Sequence, residues 1–198
     1  MKFIFELDGA VTIQETLSLI IKHFGVEEES ANLTEEETQG NVPFIESFIR
    51  RVNILGKLPV TDVANVLEQA ALYSNVCKFI KAHEKECVIV TSNLDCWIEK
   101  LVNRVNCKYY ASKASVEDNR VVSIARILNK EQVIKKYKDL GEKVIFIGSG
   151  NNDLEAMRIA DVAIATGLMH HSANGIMSFT DYLIFDEKAL CRQLNQLF

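Results

Sequence analysis

Short apolar runs that stop at polar or glycine-bearing turns, separated by helix-period segments, limit this 198-residue chain to few architectures. The runs are residues 2–5, 87–90 and 143–147, followed by two shorter ones at 162–165 and 182–185. Their isoleucine and valine content lacks a clean alternation, which suits strands covered on both faces of a parallel sheet. Between them, residues 95–105, 129–140 and 152–160 have helical periodicity, and 186–198 read as a closing amphipathic helix. Strands alternating with helices predict a doubly wound, Rossmann-like α/β fold.

The segment 12–72 breaks this rhythm. It reads as successive amphipathic helices at 13–24, 34–39, 43–55 and 60–71, punctuated by Gly25, Gly40, Gly56 and Pro59, with no convincing strand. An all-helical block after the first strand suits a cap over the carboxyl edge of the sheet, where open α/β sheets bind ligands. The expected division is a core of 1–11 and 73–198 and a helical cap of 12–72.

Three strand ends deliver chemistry to that edge. They are Glu6-Leu7-Asp8-Gly9, Thr91-Ser92-Asn93 and Gly148-Ser149-Gly150-Asn151-Asn152-Asp153, with Lys130 at the start of the helix before the last of them. Taken singly, each has an ordinary explanation: a capping acid, an N-cap hydroxyl, a surface lysine, a turn. Together, acids, hydroxyls, a lysine and helix N-termini make a phosphate and cation site.

Bulk properties exclude other classes. A formal net charge of −5 argues against nucleic acid as the main partner. No apolar run approaches the roughly 20 residues needed to span a bilayer, and the amino terminus turns acidic too early for a signal peptide, so a cytoplasmic protein is expected. Cys77, Cys87, Cys96, Cys107 and Cys191 form no CxxC pair and read as reduced, mostly buried thiols. His170-His171 could bind metal but has no supporting acid or cysteine pattern. Trp97 reads as packing, and the acidic runs 27–29 and 35–37 as solvated helix faces.

The ordered motifs resemble the haloacid dehalogenase superfamily along nearly the whole chain. Glu6 to Val11 matches its Asp-x-Asp-Gly-Thr strand end, Thr91 its hydroxyl motif, Lys130 its lysine, and Gly148 to Asp153 its Gly-Asp-Gly-x-Asn-Asp motif. Within the superfamily the chain is most similar to phosphoserine phosphatases, through Glu15-Thr16, residues 25–29, Gly40, Pro43-Phe44 and Arg50-Arg51-Val52. The resemblance implies a magnesium-dependent phosphatase with Glu6, Asp8, Thr91 and Lys130 as catalytic residues. It implies Glu6, Asp8, Ser149 and Asp153 around the metal. Glu15 would lie near the substrate amine, Arg51 on its carboxylate and Phe44 beside it, with Ser92, Asn93 and Asn152 also facing the ligand.

Two departures bear on one ion. Glu6 stands where the family has its nucleophilic aspartate, and Ser149 where it has a metal-binding aspartate; Ala10 for the usual Thr or Ser is milder. An extra methylene moves the attacking oxygen by roughly 1 Å, worth on the order of 100-fold in rate. A hydroxyl is a poorer magnesium ligand than a carboxylate. The favoured reading is a weakened or inactive phosphatase relative that keeps a pocket for a small phosphorylated or amino-acid-like ligand. The alternatives are an active phosphomonoesterase using Glu6 and a non-catalytic protein-interaction or regulatory module.

Overall fold

The computed structural model describes residues 1–26, 33 and 42–198. The expected helix at 34–39, the acidic runs, Gly40 and most of the 25–29 motif lie outside them. The expected strands are all present. They are β1 (Lys2–Glu6), β2 (Cys87–Leu94), β5 (Val144–Gly148), β6 (Val162–Thr166) and β7 (Tyr182–Ile184). With β3 (Lys108–Glu117) and β4 (Arg120–Arg126) they form one seven-stranded sheet in the order β4-β3-β2-β1-β5-β6-β7. Pairing is parallel throughout except between β3 and β4.

β1 shows why the runs lack alternation. Phe3 and Phe5 enter one apolar cluster, and Ile4 enters the other. On the first side lie α4 (Ser74–Ala82), α5 (Asp95–Asn103) and α8 (Glu187–Leu197), through residues such as Phe79, Trp97 and Leu190. On the second lie α6 (Lys130–Asp139) and α7 (Leu154–Ile159), through Val133, Ile134 and Met157. A strand covered on both faces needs apolar residues at every position. Trp97 is fully buried, as a packing residue should be.

Among the described residues, the helices that precede α4 are α1 (Thr16–Phe24), α2 (Phe44–Leu55) and α3 (Val60–Glu68). α1 stops at Gly25, whose φ of 67° is the left-handed C-cap conformation that glycine adopts without strain. α3 ends at Glu68, three residues short of the expected 71. The chain leaves β1 and returns to α4 side by side: the Ile13 amide donates to Ala71 (2.9 Å) and the Tyr73 amide to Val11 (2.9 Å).

Two elements were not anticipated by periodicity, the helix α4 and the β3–β4 hairpin. The hairpin is largely exposed, so most of its strands carry no apolar signature. Its turn residues Asp118 and Asn119 have φ of 46° and 61°, as a two-residue type I′ hairpin requires. Asp-Asn between valine- and tyrosine-bearing runs was the available signal. The hairpin packs back on the helices, since the Val60 amide donates to Asn119 (2.8 Å) and the Val121 amide to Gly56 (3.1 Å).

β1 pairs with β2 on one side and β5 on the other, so strand order reverses at its carboxyl end. In open α/β sheets the ligand crevice forms at such a switch point. Glu6 is the last residue of β1.

Candidate active site

A cavity of about 520 Å³ opens at this switch point. Glu6 and Asp8 reach it from the end of β1, Thr91, Ser92 and Asn93 from β2, and Ser149, Asn152 and Asp153 from the segment after β5. Glu15, at the N-cap of α1, and Phe44 and Arg51, from α2, form further walls. Every expected site residue except Lys130 therefore lines one cavity, and Lys130 touches two that do.

One strand end differs from expectation. Thr91, Ser92 and Asn93 are not a turn after a strand ending at residue 90; β2 continues to Leu94 with an irregular register between Thr91 and Leu94. Pairing with β3 resumes at Leu94 and Ser112, which holds these polar residues inside the sheet. Such a bulge re-aims side chains without ending a strand. The Thr91 hydroxyl accepts the Asn93 amide (3.1 Å), and the Asn93 side-chain amide donates to the Thr16 hydroxyl (2.9 Å).

The acids are already engaged. The buried ammonium of Lys130 contacts the Glu6 carboxylate and lies 2.6 Å from Asp153 Oδ1. Asp153 Oδ2 accepts the backbone amides of Ser149 (2.9 Å) and Gly150 (3.0 Å). Asp8 is held by the start of α1: its Oδ1 accepts from the Thr12 hydroxyl (3.1 Å) and Thr16 amide (3.0 Å), and its Oδ2 from the Thr16 hydroxyl (2.8 Å).

Lys130 opens α6, with Asn129 capping the Gln132 amide (3.2 Å). A cation at a helix N-terminus opposes the helix dipole, and here two facing carboxylates offset that cost. They also hold the Lys130 ammonium well above the ordinary lysine range, against burial. Burial pushes the Glu6 carboxyl up to about 8, opposed by Lys130. Burial, then the nearby Glu15 charge, pushes Asp8 up to about 7, opposed by its Thr16 and Thr12 hydrogen bonds.

Two glycines make this packing possible. Gly9 has a φ of 77°, and a Cβ there would sit 3.0 Å from Ser149 Oγ. A Cβ on Gly148 would come 2.5 Å from Asp153 Oδ2, inside van der Waals contact. Gly148→Ala is therefore expected to push Asp153 off its partners and cost about 1–3 kcal/mol, read by chemical denaturation. An unchanged midpoint and slope would show that Asp153 is not held in this way.

The expected metal quartet does not fit a divalent cation. Magnesium demands near-octahedral oxygen donors, anionic ones among them. Asp153 has both oxygens committed, Glu6 faces an ammonium and Ser149 offers a neutral hydroxyl, while the resemblance implies Asp8 as a ligand through its main-chain carbonyl alone. Among the described residues no group of three or more His, Cys, Asp or Glu stands together as a metal-binding set.

Sequence reasoning missed part of the wall. Ser18 and Ile21 of α1, Phe48 of α2, and Asn151, His170 and His171 also line the cavity. Helical spacing was the available signal for Phe48, one turn beyond Phe44. His170 and His171, adjacent in sequence, carry only the pattern of a weak metal pair. The cysteines take no part in this wall; Cys87 alone is buried, the other four being half-buried, and burial pushes all five thiols up. No helix among the described residues is long and apolar enough to cross a membrane.

Comparison with known proteins agrees with the layout. The chain is 23% identical over 175 residues to a phosphoserine phosphatase of Methanocaldococcus jannaschii, covering 82% of this chain and 83% of that one. It is 27% identical over 182 residues to the phosphoserine phosphatase of Saccharomyces cerevisiae, covering 82% and 58%. A solved substrate-bound phosphoserine phosphatase superposes with a TM-score of 0.82 at 21% identity, over 100% of this chain and 99% of that one. Another, a phospho-aspartyl intermediate analogue, gives 0.81 at 20% identity, over 96% and 97%. At these identities the structural likeness speaks for the fold. Residues 5–161 match the haloacid dehalogenase-like hydrolase model, and the chain belongs to that family.

Proposed function

We propose that this protein is a phosphoserine phosphatase-like hydrolase whose phosphate-monoester hydrolysis is weakened or lost. It retains a pocket for a small phosphorylated or amino-acid-like ligand, with residues 12–72 as its cap. The observation that carries this reading is the engagement of Glu6 with Lys130, beside a hydroxyl at Ser149. The carboxylate meant to attack phosphorus is drawn onto the ammonium meant to neutralise the phosphoryl oxygens. An in-line transfer needs the nucleophile placed to within a fraction of an ångström.

The chain's own residues still supply ligand binding. Arg51, 8% exposed on α2, presents a guanidinium to the cavity, where a carboxylate or phosphate would be held by charge-assisted hydrogen bonds. Phe44 and Phe48, stacked with centroids 6.0 Å apart, give the wall an apolar side. Thr91, Ser92, Asn93 and Asn152 add hydroxyl and amide groups for orientation. Bound magnesium, in relatives that use it, neutralises the transferred phosphoryl group; the donors present here do not suit it.

Phosphoserine, serine or inorganic phosphate is expected to raise the melting temperature of the protein. Arg51→Ala should remove the shift for the carboxylate-bearing ligands, and Arg51→Lys should keep part of it. No shift with any of the three would overturn the binding reading. Rapid phosphate release from phosphoserine, lost on adding a chelator, would overturn the weakened-catalyst reading in favour of an active phosphomonoesterase.

A further inference from the structure

Among the described residues four carboxylates line the cavity: Glu6, Asp8, Glu15 and Asp153. The inner three are held by Lys130, Thr12 and Thr16. Glu15 is the half-exposed one, with 45% of its side chain exposed, and is the acid a ligand ammonium entering the cavity would meet. Across from it, on the loop after β6, His170 Nε2 lies 3.4 Å from Glu15 Oε1. The other ring nitrogen, Nδ1, is 2.9 Å from the His171 carbonyl oxygen.

Both neighbours of this ring are acceptors, so only the doubly protonated imidazolium satisfies both contacts. The Glu15 hydrogen bond, together with the His171 carbonyl and the Glu15 charge, raises the imidazole above its usual 6.5 against partial burial. The bridge is therefore complete below about 6.5 and is released as pH rises through the raised value. The other titratable groups among the described residues lining this cavity are Glu6, Asp8, Asp153, His171 and Arg51.

We infer that His170 determines ligand choice at the pocket mouth: by occupying the Glu15 carboxylate it disfavours ligands bearing an ammonium group there. His170 thus shifts the preference of the pocket from phospho-amino acids toward phosphorylated carboxylic acids without an α-amine. The inference rests on the phosphorylated-ligand reading of the cavity. A half-exposed ion pair is a modest interaction, so the expected shift in preference is on the order of two- to fivefold.

The test compares O-phosphoserine with 3-phosphonooxypropanoate, the same molecule with hydrogen in place of the ammonium, by calorimetry at pH 6. His170→Ala should move the ratio of the two affinities toward phosphoserine by two- to fivefold relative to the wild type. An unchanged ratio with both ligands bound overturns the inference alone. Absence of binding by either ligand to either form overturns the phosphorylated-ligand reading and the inference with it. A ligand-free arm follows the His170 ring by NMR: Glu15→Gln should lower its titration midpoint, and identical midpoints would overturn the bridge.

Discussion

Replacing Glu6 and Ser149 together by aspartate should raise magnesium-dependent phosphate release from phosphoserine by two orders of magnitude or more. Shortening Glu6 by one methylene withdraws its carboxylate from Lys130 and moves the attacking oxygen by roughly 1 Å, which is worth on the order of 100-fold. Ser149→Asp puts a hard anionic oxygen beside Gly9, where the serine hydroxyl now sits. On the proposed reading the two changes serve one ion, so each alone should recover far less than the pair. Stability provides a second readout. An added carboxylate at position 149, beside the acids at positions 6, 8 and 153, should lower the melting temperature without magnesium, and the ion should restore it. A double variant with no gain in turnover and no response to magnesium would place the defect outside these positions.

Lys130→Met should lower stability by about 3–5 kcal/mol, because it leaves Glu6 and Asp153 buried without their counter-charge. For a domain of this size each kcal/mol moves the melting temperature by about 2–4 °C, giving a fall of roughly 6–20 °C. Adding Glu6→Gln should recover part of the loss, since a neutral amide tolerates burial better than a carboxylate. A fall of less than about 3 °C in Lys130→Met would mean that the lysine does not organise the site floor.

Most parts of the site that were legible before folding share a property: their chemistry depends on residue type just beyond a strand. Glu6, Asp8 and Asp153 could be named because short apolar runs locate the carboxyl edge of the sheet, and polar residues just beyond them converge there; Lys130, at a helix start, could be named from the motif resemblance. Gly25 could be named as a helix stop because its conformation is local. The β3–β4 hairpin escaped because exposed strands need no apolar face, leaving only the Asp118-Asn119 turn as a marker. The continuation of β2 through Thr91, Ser92 and Asn93 escaped because pairing with β3, not local polarity, decides where that strand ends.

By itself, then, the sequence determined the alternation of strands and helices, the helical segments between β1 and α4, and the two altered positions, Glu6 and Ser149. The first two follow from short-range periodicity, and the altered positions from the motif resemblance. Only the tertiary structure decided what the altered positions touch. Packing against β2, β5 and the start of α6 holds the Glu6 carboxylate in the cavity wall against Lys130. It likewise brought His170 to Glu15 across 155 positions of chain. Both outcomes depend on distances between residues remote in sequence, and no local pattern encodes such distances.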